Sequence, residues 1–401
     1  MTTTTGAADL VPTGENEPAL LDWLRVMRDQ HPVWRDRYGL WHVFRHADVE
    51  AVTRDPATFS SDTARLLPSA VQVRRGMLTQ LDPPEHRVLR HLVSAAFTPR
   101  TVAALEPRIR AVTGELLDAA SERFDLVDTL AFPLPVIVIA ELLGLPAQDR
   151  PLFRGWADGL FSIQVEDPSD PELGPKIAAA LAGITPYLTE HCRARRADPR
   201  EDLISALVTA EVDGRGLDDE EAANFTMLLL LAGHVTTTLL LGNAVRTLDE
   251  HPGVWAELRA DQSLIPGAIE EVLRYRSPFA RVGRATLRSA TINGVTIPAD
   301  AVVTPWLLSA NRDPRAYHEP DRFDIRRGLG GGAQLAFGHG IHFCLGAPLA
   351  RLEARVALEA LTTRYRALPL DHDTIARTGG LRYYRRGILG TRNLPVRSTR
   401  A

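Results

Sequence analysis

One cysteine stands in a setting that supports chemistry. The stretch FGHGIHFCLG, Phe337 to Gly346, places Cys344 between a glycine-rich loop and a periodic segment. Leu345, Leu349, Leu352 and Val356 recur there at helical spacing, and Pro348 suits a first helical turn. The first N–H groups of such a helix lack intrahelical partners, and the positive end of its dipole favours a thiolate. Gly338, Gly340 and Gly346 remove side chains on both flanks, which permits positive φ and close approach to something large and flat. Backbone N–H groups can then donate to the sulfur and tune it. Three chemistries compete. A zinc site would need more ligands, but the second cysteine, Cys192, is remote in sequence and no helical ligand pair stands nearby. A nucleophile would need a base with an orienting third group, and His342 has no such companion in the sequence. A single axial thiolate on a haem iron meets the steric and electrostatic demands together. Cys192 reads as small apolar filler.

Helical signals dominate the segments that must carry this loop. ALLDWLRVMRDQ over 19–30 is amphipathic. PRTVAALEPRIRAVTGELLDAA over 99–120 reads as one or two helices, with Leu105, Ile109, Val112 and Leu116 recurring at three and four. The segments 203–212, 220–233 and 347–365 are also helical, and prolines bracket a helix over 266–278. Strand signals are short: 39–45 alternates, 290–300 reads as a hairpin turning at Asn-Gly, and 301–308 can pair nearby. The spacing predicts a mainly α protein with small β-sheets. Two long connections, 59–80 and 161–175, have the length of lids or binding loops. The run 225–245 could span a bilayer by length, but His234, the threonines at 236–238, Asn243 and its isolation in mid-chain favour a buried core helix.

The bulk composition is that of a globular chain of 401 residues with net charge −4, which does not predict nucleic-acid binding. Lys176 is the single lysine, so 45 of the 46 basic residues are arginine, a bias that codon usage explains. The polar N-terminus has neither the basic nor the apolar region of a signal peptide, so a cytoplasmic protein is expected.

FGHGIHFCLG resembles the haem-ligand loop of the cytochrome P450 monooxygenases, with Phe337, Gly338, Gly340, His342, Cys344 and Gly346 at matching places. The resemblance extends from about residue 20 to 395. It implies one large haem-enclosing domain over 19–401, preceded by a flexible segment 1–18, and haem b with Cys344 as axial ligand. His86 and Arg90, at i and i+4 in DPPEHRVLR, match the family's propionate-binding pair, as do Arg284 in RVGRAT and His342. Buried carboxylates need such donors. Glu271 and Arg274 share a helix face at i and i+3; the resemblance makes them a buried structural set joined by Arg322 from PDRF. AGHVTT, Ala232 to Thr237, resembles the oxygen-activation motif, where Gly233 loosens the helix and the Thr236 hydroxyl faces the reacting oxygen or bonds back to Ala232.

One position departs from the family pattern. An acid is usual just before that threonine, and Val235 stands here. Protons must then arrive by Thr236 and ordered water, by His234, or by a substrate hydroxyl. The segments AGHVTTTLLLGNAVRTLDEHP, ALLDWL, RYGLWHVFRHADV, FDLVDTLAFPLPV and GAPLARLE together resemble a macrolide-tailoring branch of the family, in which the acid is likewise replaced by an aliphatic residue.

Family topology places Leu66, Leu67, Val71, Phe161, Ile163, Met227, Leu231, Val235, Phe279, Ala280 and Leu381 around the substrate. Glu166, Asp167 and Asp170 could meet the ammonium of an amino sugar, although a solvated loop is the plainer reading. The resemblance implies a monomer that uses O2, with NAD(P)H electrons delivered through a ferredoxin reductase and a ferredoxin that docks on Arg100, Arg108, Arg110 and Arg351. It implies hydroxylation or epoxidation of a macrolide or polyketide. Other substrate classes (terpenoid, fatty acid, peptide), peroxide-driven or oxidative-coupling chemistry, a haem sensor or carrier, and a haem-free cysteine enzyme are the competing readings.

Overall fold

The computed structural model describes residues 11–12, 14–66, 75–94, 97–163, 170–212, 214–327, 334–384 and 387–401. Its axis is one helix, Asp219–Glu250, of 32 residues, or about 48 Å at 1.5 Å per residue. A capping box starts it: Asp218 accepts from the Glu221 N–H at 2.9 Å, and Glu221 accepts from the Asp218 N–H at 3.2 Å. Apolar residues cover most of its circumference, so other helices surround it. Ile184–Ala197, Pro133–Leu143, Leu203–Thr209 and Ala347–Arg364 all pack on it. Among the described residues it alone has the length and hydropathy to cross a membrane, and most of that length is buried inside the protein.

The main sheet joins distant parts of the chain. Its strand order is Val33–Arg35, Trp41–Val43, Val302–Pro305, Arg284–Thr286, Phe59–Ser60. Val303 lies opposite Trp41 in a parallel pair and opposite Arg284 in an antiparallel one. The expected hairpin forms from Ala290–Ile292 and Val295–Ile297, with Asn293 (φ 48°) and Gly294 (φ 74°) in the left-handed region its two-residue turn requires.

Several expected boundaries shift for local reasons. The segment 99–120 divides into Pro99–Ala103 and Glu106–Asp118, because Pro107 suits the first turn of a new helix. The segment 203–212 ends as a helix at Thr209 and continues as the strand Glu211–Val212. The strands at 39–45 and 301–308 narrow to Trp41–Val43 and Val302–Pro305. The expected flexible segment 1–18 is cut short, since Glu17 and Pro18 begin the helix Glu17–Gln30. Glu17 is buried there between Arg276 (2.8 Å) and Arg246 (2.7 Å). Of the long connections, 59–80 includes Phe59–Ser60 and two short 3-10 turns, and 161–175 runs into the helix Leu173–Leu181.

Candidate active site

The cysteine loop is held from behind by backbone hydrogen bonds. The Leu335 N–H donates to Asn311 Oδ1 at 2.7 Å, the Gly338 N–H to the Leu335 carbonyl at 2.8 Å, and the Cys344 N–H to the Phe337 carbonyl at 2.9 Å. Gly338 (φ 72°) and Gly340 (φ 73°) turn the chain in the left-handed region. A Cβ on Gly340 would lie 2.8 Å from the Thr53 carbonyl oxygen. Gly346 differs from the expectation of positive φ: at φ −82° it is the N-cap of Ala347–Arg364. Burial pushes the Cys344 thiol up, but the N–H groups of Gly346 and Ala347 and the Arg90 and Arg351 guanidiniums favour its thiolate.

Four basic side chains gather beside this sulfur. His86 and Arg90 come from one face of Glu85–Ser94, Arg284 from the main sheet, and His342 from the loop. The His86 and His342 rings lie 4.3 Å apart, and both Nε2 atoms are buried without a hydrogen-bond partner. Burial and then Arg284 push His342 down to about 3, and burial lowers His86 as well. Burial takes Arg284 down to about 10; its Nη1 donates to the Gly283 carbonyl at 2.7 Å. The carboxylate that His86 and Arg284 sense, Asp82, is already engaged by the Ser60 hydroxyl and the Ser61 N–H. Orphaned imidazole nitrogens and a desolvated guanidinium call for an anion. The two propionates of a haem fit this donor set, and the thiolate beside it fits the iron.

The long helix opens on one face only. Ala232 is exposed and Gly233 and Thr236 are half-exposed, while Leu231, His234, Val235, Thr237 and Thr238 are buried. The Thr236 hydroxyl donates to the Ala232 carbonyl at 2.8 Å. The helix stays continuous through this point, so Gly233 does not break it. Gly233 instead allows close packing: a Cβ there would lie 3.1 Å from Ile139 Cγ1. His234 is not the expected proton route. Two residues from both Ala232 and Thr236, it sits about 200° around the helix from each, on the opposite side. Its Nδ1 is 2.5 Å from the Leu230 carbonyl and its ring packs edge-on to Phe132. Burial holds it neutral, at about 4.

The structural set has a different third member from the one expected. Arg274 forks onto Glu271 with two bonds of 2.8 Å, both side chains buried. Arg327 completes the set, with Nε 3.1 Å from Glu271 Oε1. Arg322 points outward to Glu319 at 3.2 Å, and only its backbone carbonyl accepts from Arg274. Arg274 also donates to the Asn311 carbonyl at 2.8 Å, and Asn311 in turn holds Leu335 at the start of the cysteine loop. Sequence alone offered Arg322, Arg326 and Arg327 within six residues and no signal to choose among them.

The expected substrate-lining residues separate into groups. Phe161, Met227, Leu231 and Val235 are buried in the main core, and Ala280 is buried with Trp23, Phe44 and Trp306 in a separate cluster. Leu66, Ile163, Phe279 and Leu381 are half-buried. Leu67, Val71, Glu166 and Asp167 lie outside the described residues. Asp170 is 3.6 Å from Lys176. A surface cavity of about 600 Å³ near Ile109, Val138 and Leu203 is separate, with neither Cys344 nor its basic neighbours among its lining. The expected docking arginines are largely neutralised: Arg108 forks onto Glu141, Arg110 meets Glu106 and Glu359, and Arg351 forks onto Glu270. Arg100 is exposed on Pro99–Ala103. Phe343, beside the cysteine, is also exposed.

A helical frame that sets a cysteine at a helix start beside a cluster of buried basic side chains has the donor set for a carboxylate-bearing group held against a thiolate. Comparison with known proteins gives that class its family. The cytochrome P450 family model matches residues 176–379. Erythromycin C-12 hydroxylase of Saccharopolyspora erythraea is 59% identical over 97% of this chain and 96% of its own length. Cyclomarin C epoxidase CymV of Salinispora arenicola is 47% identical over 93% of this chain and 94% of its own. The structure of a mutant of P450 EryK in complex with erythromycin B superposes with a TM-score of 0.92 at 58% identity, covering 97% of this chain and 98% of that one. The chain belongs to the cytochrome P450 family, the haem-thiolate monooxygenases that use O2.

Proposed function

We propose that this monooxygenase hydroxylates or epoxidises a macrolide or related polyketide; the Cys344 thiolate would hold the haem iron, and His86, Arg90, Arg284 and His342 would bind its propionates. The observation that carries the assignment of the haem site is the pair of buried, partnerless Nε2 atoms on His86 and His342 beside the sulfur. The substrate class rests on the 59% identity to a macrolide hydroxylase. When bound, the haem activates dioxygen so that one oxygen atom enters the substrate and the other leaves as water.

The protein supplies orientation and charge. Gly346 and Ala347 N–H groups soften the sulfur's charge, Arg90 and Arg284 neutralise the propionates, and Ala232 keeps the oxygen side free of bulk. Thr236 holds a hydroxyl at that face and can release its bond to Ala232 to donate to oxygen. Electrons come from NAD(P)H through a reductase and a small ferredoxin in the cytoplasm. Because three of the four expected docking arginines are already paired, the exposed Phe343 and Arg100 are the docking contacts we favour.

The substrate class is tested by titrating the ferric protein with macrolide aglycones and their glycosides while following the Soret band. A shift to high spin by one of these series is expected if that series seats in the site and excludes water from its oxygen side. A low-spin thiolate spectrum that no macrolide moves would discard the macrolide and keep the enzyme. Thr236→Ala is expected to lower product formed per NAD(P)H by about ten-fold or more, with hydrogen peroxide making up the difference and the substrate-induced spectral shift retained. Normal coupling in that variant would remove Thr236 from the proton path.

A further inference from the structure

The open face of the long helix is closed at one end by a stretch of chain that the site described above leaves unused. Ala232 and Thr236 lie open, while Leu239 and Asn243 on the same face are each 1% exposed. At about 100° per residue, Asn243 sits about 20° around the helix from Thr236 and about 10.5 Å further along it. The cover is the stretch that follows Gly387. Gly390 lets it lie close to the helix: a Cβ there would lie 2.5 Å from Leu239 Cδ2 and 3.3 Å from Asn243 Oδ1.

Asn243 ties this stretch to a second one. Its Nδ2 donates to the Leu389 carbonyl at 3.0 Å and to the Arg276 carbonyl at 3.1 Å. Both amide hydrogens are used on buried carbonyls, a task that neither a single hydroxyl nor a carboxylate can perform. The Arg276 end is fixed, because its side chain is buried against Glu17 and Thr247 at 2.8 Å each. The two stretches then pair directly. The Ala280 N–H donates to the Gly387 carbonyl at 2.9 Å, and the Leu389 N–H to the Pro278 carbonyl at 2.8 Å. Phe279 and Ile388 stand opposite each other in this antiparallel bridge, so their side chains share one face. Ala280 and Leu389 take the other face and cluster with Trp23, Phe44 and Trp306. Ile388 and the half-buried Phe279 pack on the core that contains Leu231, Val235 and Leu239. Four residues after Ala280 the same stretch delivers Arg284 to the basic cluster.

We propose that Asn243 is a positioning residue. By holding the Phe279–Ile388 edge against the long helix, it sets the room above the oxygen side and so selects which part of an apolar substrate reaches Thr236. The inference rests on the monooxygenase reading, with Thr236 facing the reacting oxygen. Apolar packing alone would let the edge slide along the helix, whereas two directed hydrogen bonds fix its register. Asn243 is itself buried and acts through Phe279, the part of the edge that is left partly open.

The experiment titrates the ferric holoprotein with imidazole and with phenylimidazole, following the Soret band in the parent, Asn243→Ala, Phe279→Ala and the double variant. Imidazole reports on the iron alone, and its affinity is expected to stay within about two-fold throughout. Phenylimidazole adds an apolar ring that rests on the edge, and each single variant is expected to weaken its binding about ten-fold. The double variant is expected to lose about ten-fold too, rather than about a hundred-fold, because one residue works through the other. Unchanged phenylimidazole affinity in Asn243→Ala, or additive losses, overturns the proposal. A merely structural tie would lower the melting temperature and leave the ratio of the two affinities untouched. Asn243→Ser keeps one donor and replaces the alanine variant where that one does not fold; a smaller loss is expected there, and no loss overturns the proposal. Neither probe is a macrolide, so a failed macrolide titration leaves this inference standing. A ferric protein whose Soret band imidazole does not move removes the haem-site reading, and this inference with it.

Discussion

Cys344→Ser is expected to abolish the thiolate signature of the reduced, carbon monoxide-bound protein completely, and turnover with it, while the fold persists. The loop does not depend on the sulfur for its shape. Its contacts are made by main-chain N–H groups: Cys344 N–H to the Phe337 carbonyl, Gly338 N–H to the Leu335 carbonyl, and Leu335 N–H to the side-chain oxygen of Asn311. Serine is nearly isosteric and keeps the same backbone. A serine hydroxyl is far less acidic than a thiol, and the N–H groups of Gly346 and Ala347 together with Arg90 cannot bring it to an anion near neutral pH. Purified holoprotein, its carbon monoxide difference spectrum and its circular dichroism check the prediction together. An unchanged spectrum would remove Cys344 as the ligand. A colourless protein after expression with haem would reopen the reading of a haem-free cysteine enzyme.

The second large effect falls on the buried charge set. Glu271→Ala leaves the Arg274 guanidinium, 2% exposed, without its counter-ion, and Arg327 loses the same partner. Removing one member of a buried pair costs about 3–5 kcal/mol, a large share of the roughly 5–15 kcal/mol that holds a domain folded. Arg327→Ala is milder, because Glu271 keeps its two bonds to Arg274; it removes one charge-assisted bond to Glu271, worth about 1.5–3 kcal/mol, together with exposed bonds to the His318, Glu319 and Arg322 carbonyls that solvent can replace. Arg322→Ala removes an exposed pair with Glu319, worth about 0–1 kcal/mol. The order of midpoints in urea should therefore run Arg322→Ala, Arg327→Ala, Glu271→Ala, from most to least stable. Haem retention should follow that order, since Arg274 also holds Asn311 and through it the cysteine loop. Equal losses for the two arginine variants would return Arg322 to the set.

Arg322 illustrates where sequence reading stops. PDRF and the following Ile-Arg-Arg offer three arginines within one turn-rich stretch, and each has the length to reach an acid. The choice follows from the path of the backbone: the Asp324 N–H caps Glu271 Oε1 at 2.9 Å, and that turn brings Arg327 rather than Arg322 inward. His234 is a second case. Its position in AGHVTT suggested a proton route, yet helix phase and the packing of Phe132 put it on the far side. The docking arginines are a third, since the acids that neutralise Arg110 and Arg351 come from other elements of the fold.

What the chain's own sequence determined is the local part. The glycine-rich loop with its cysteine, the Asn-Gly hairpin, the capped long helix and the amphipathic segments are each written within a few turns, because φ/ψ freedom, capping and apolar period act between near neighbours. The donors proposed for the propionates were legible too, but only as separate residues on separate elements. Tertiary structure alone brought His86, Arg284 and His342 into one buried cluster, selected Arg327, and tied Asn243 to the Leu389 carbonyl. These are contacts between residues far apart in the chain, and desolvation on folding, which no short window encodes, gives the titratable groups among them their charge states.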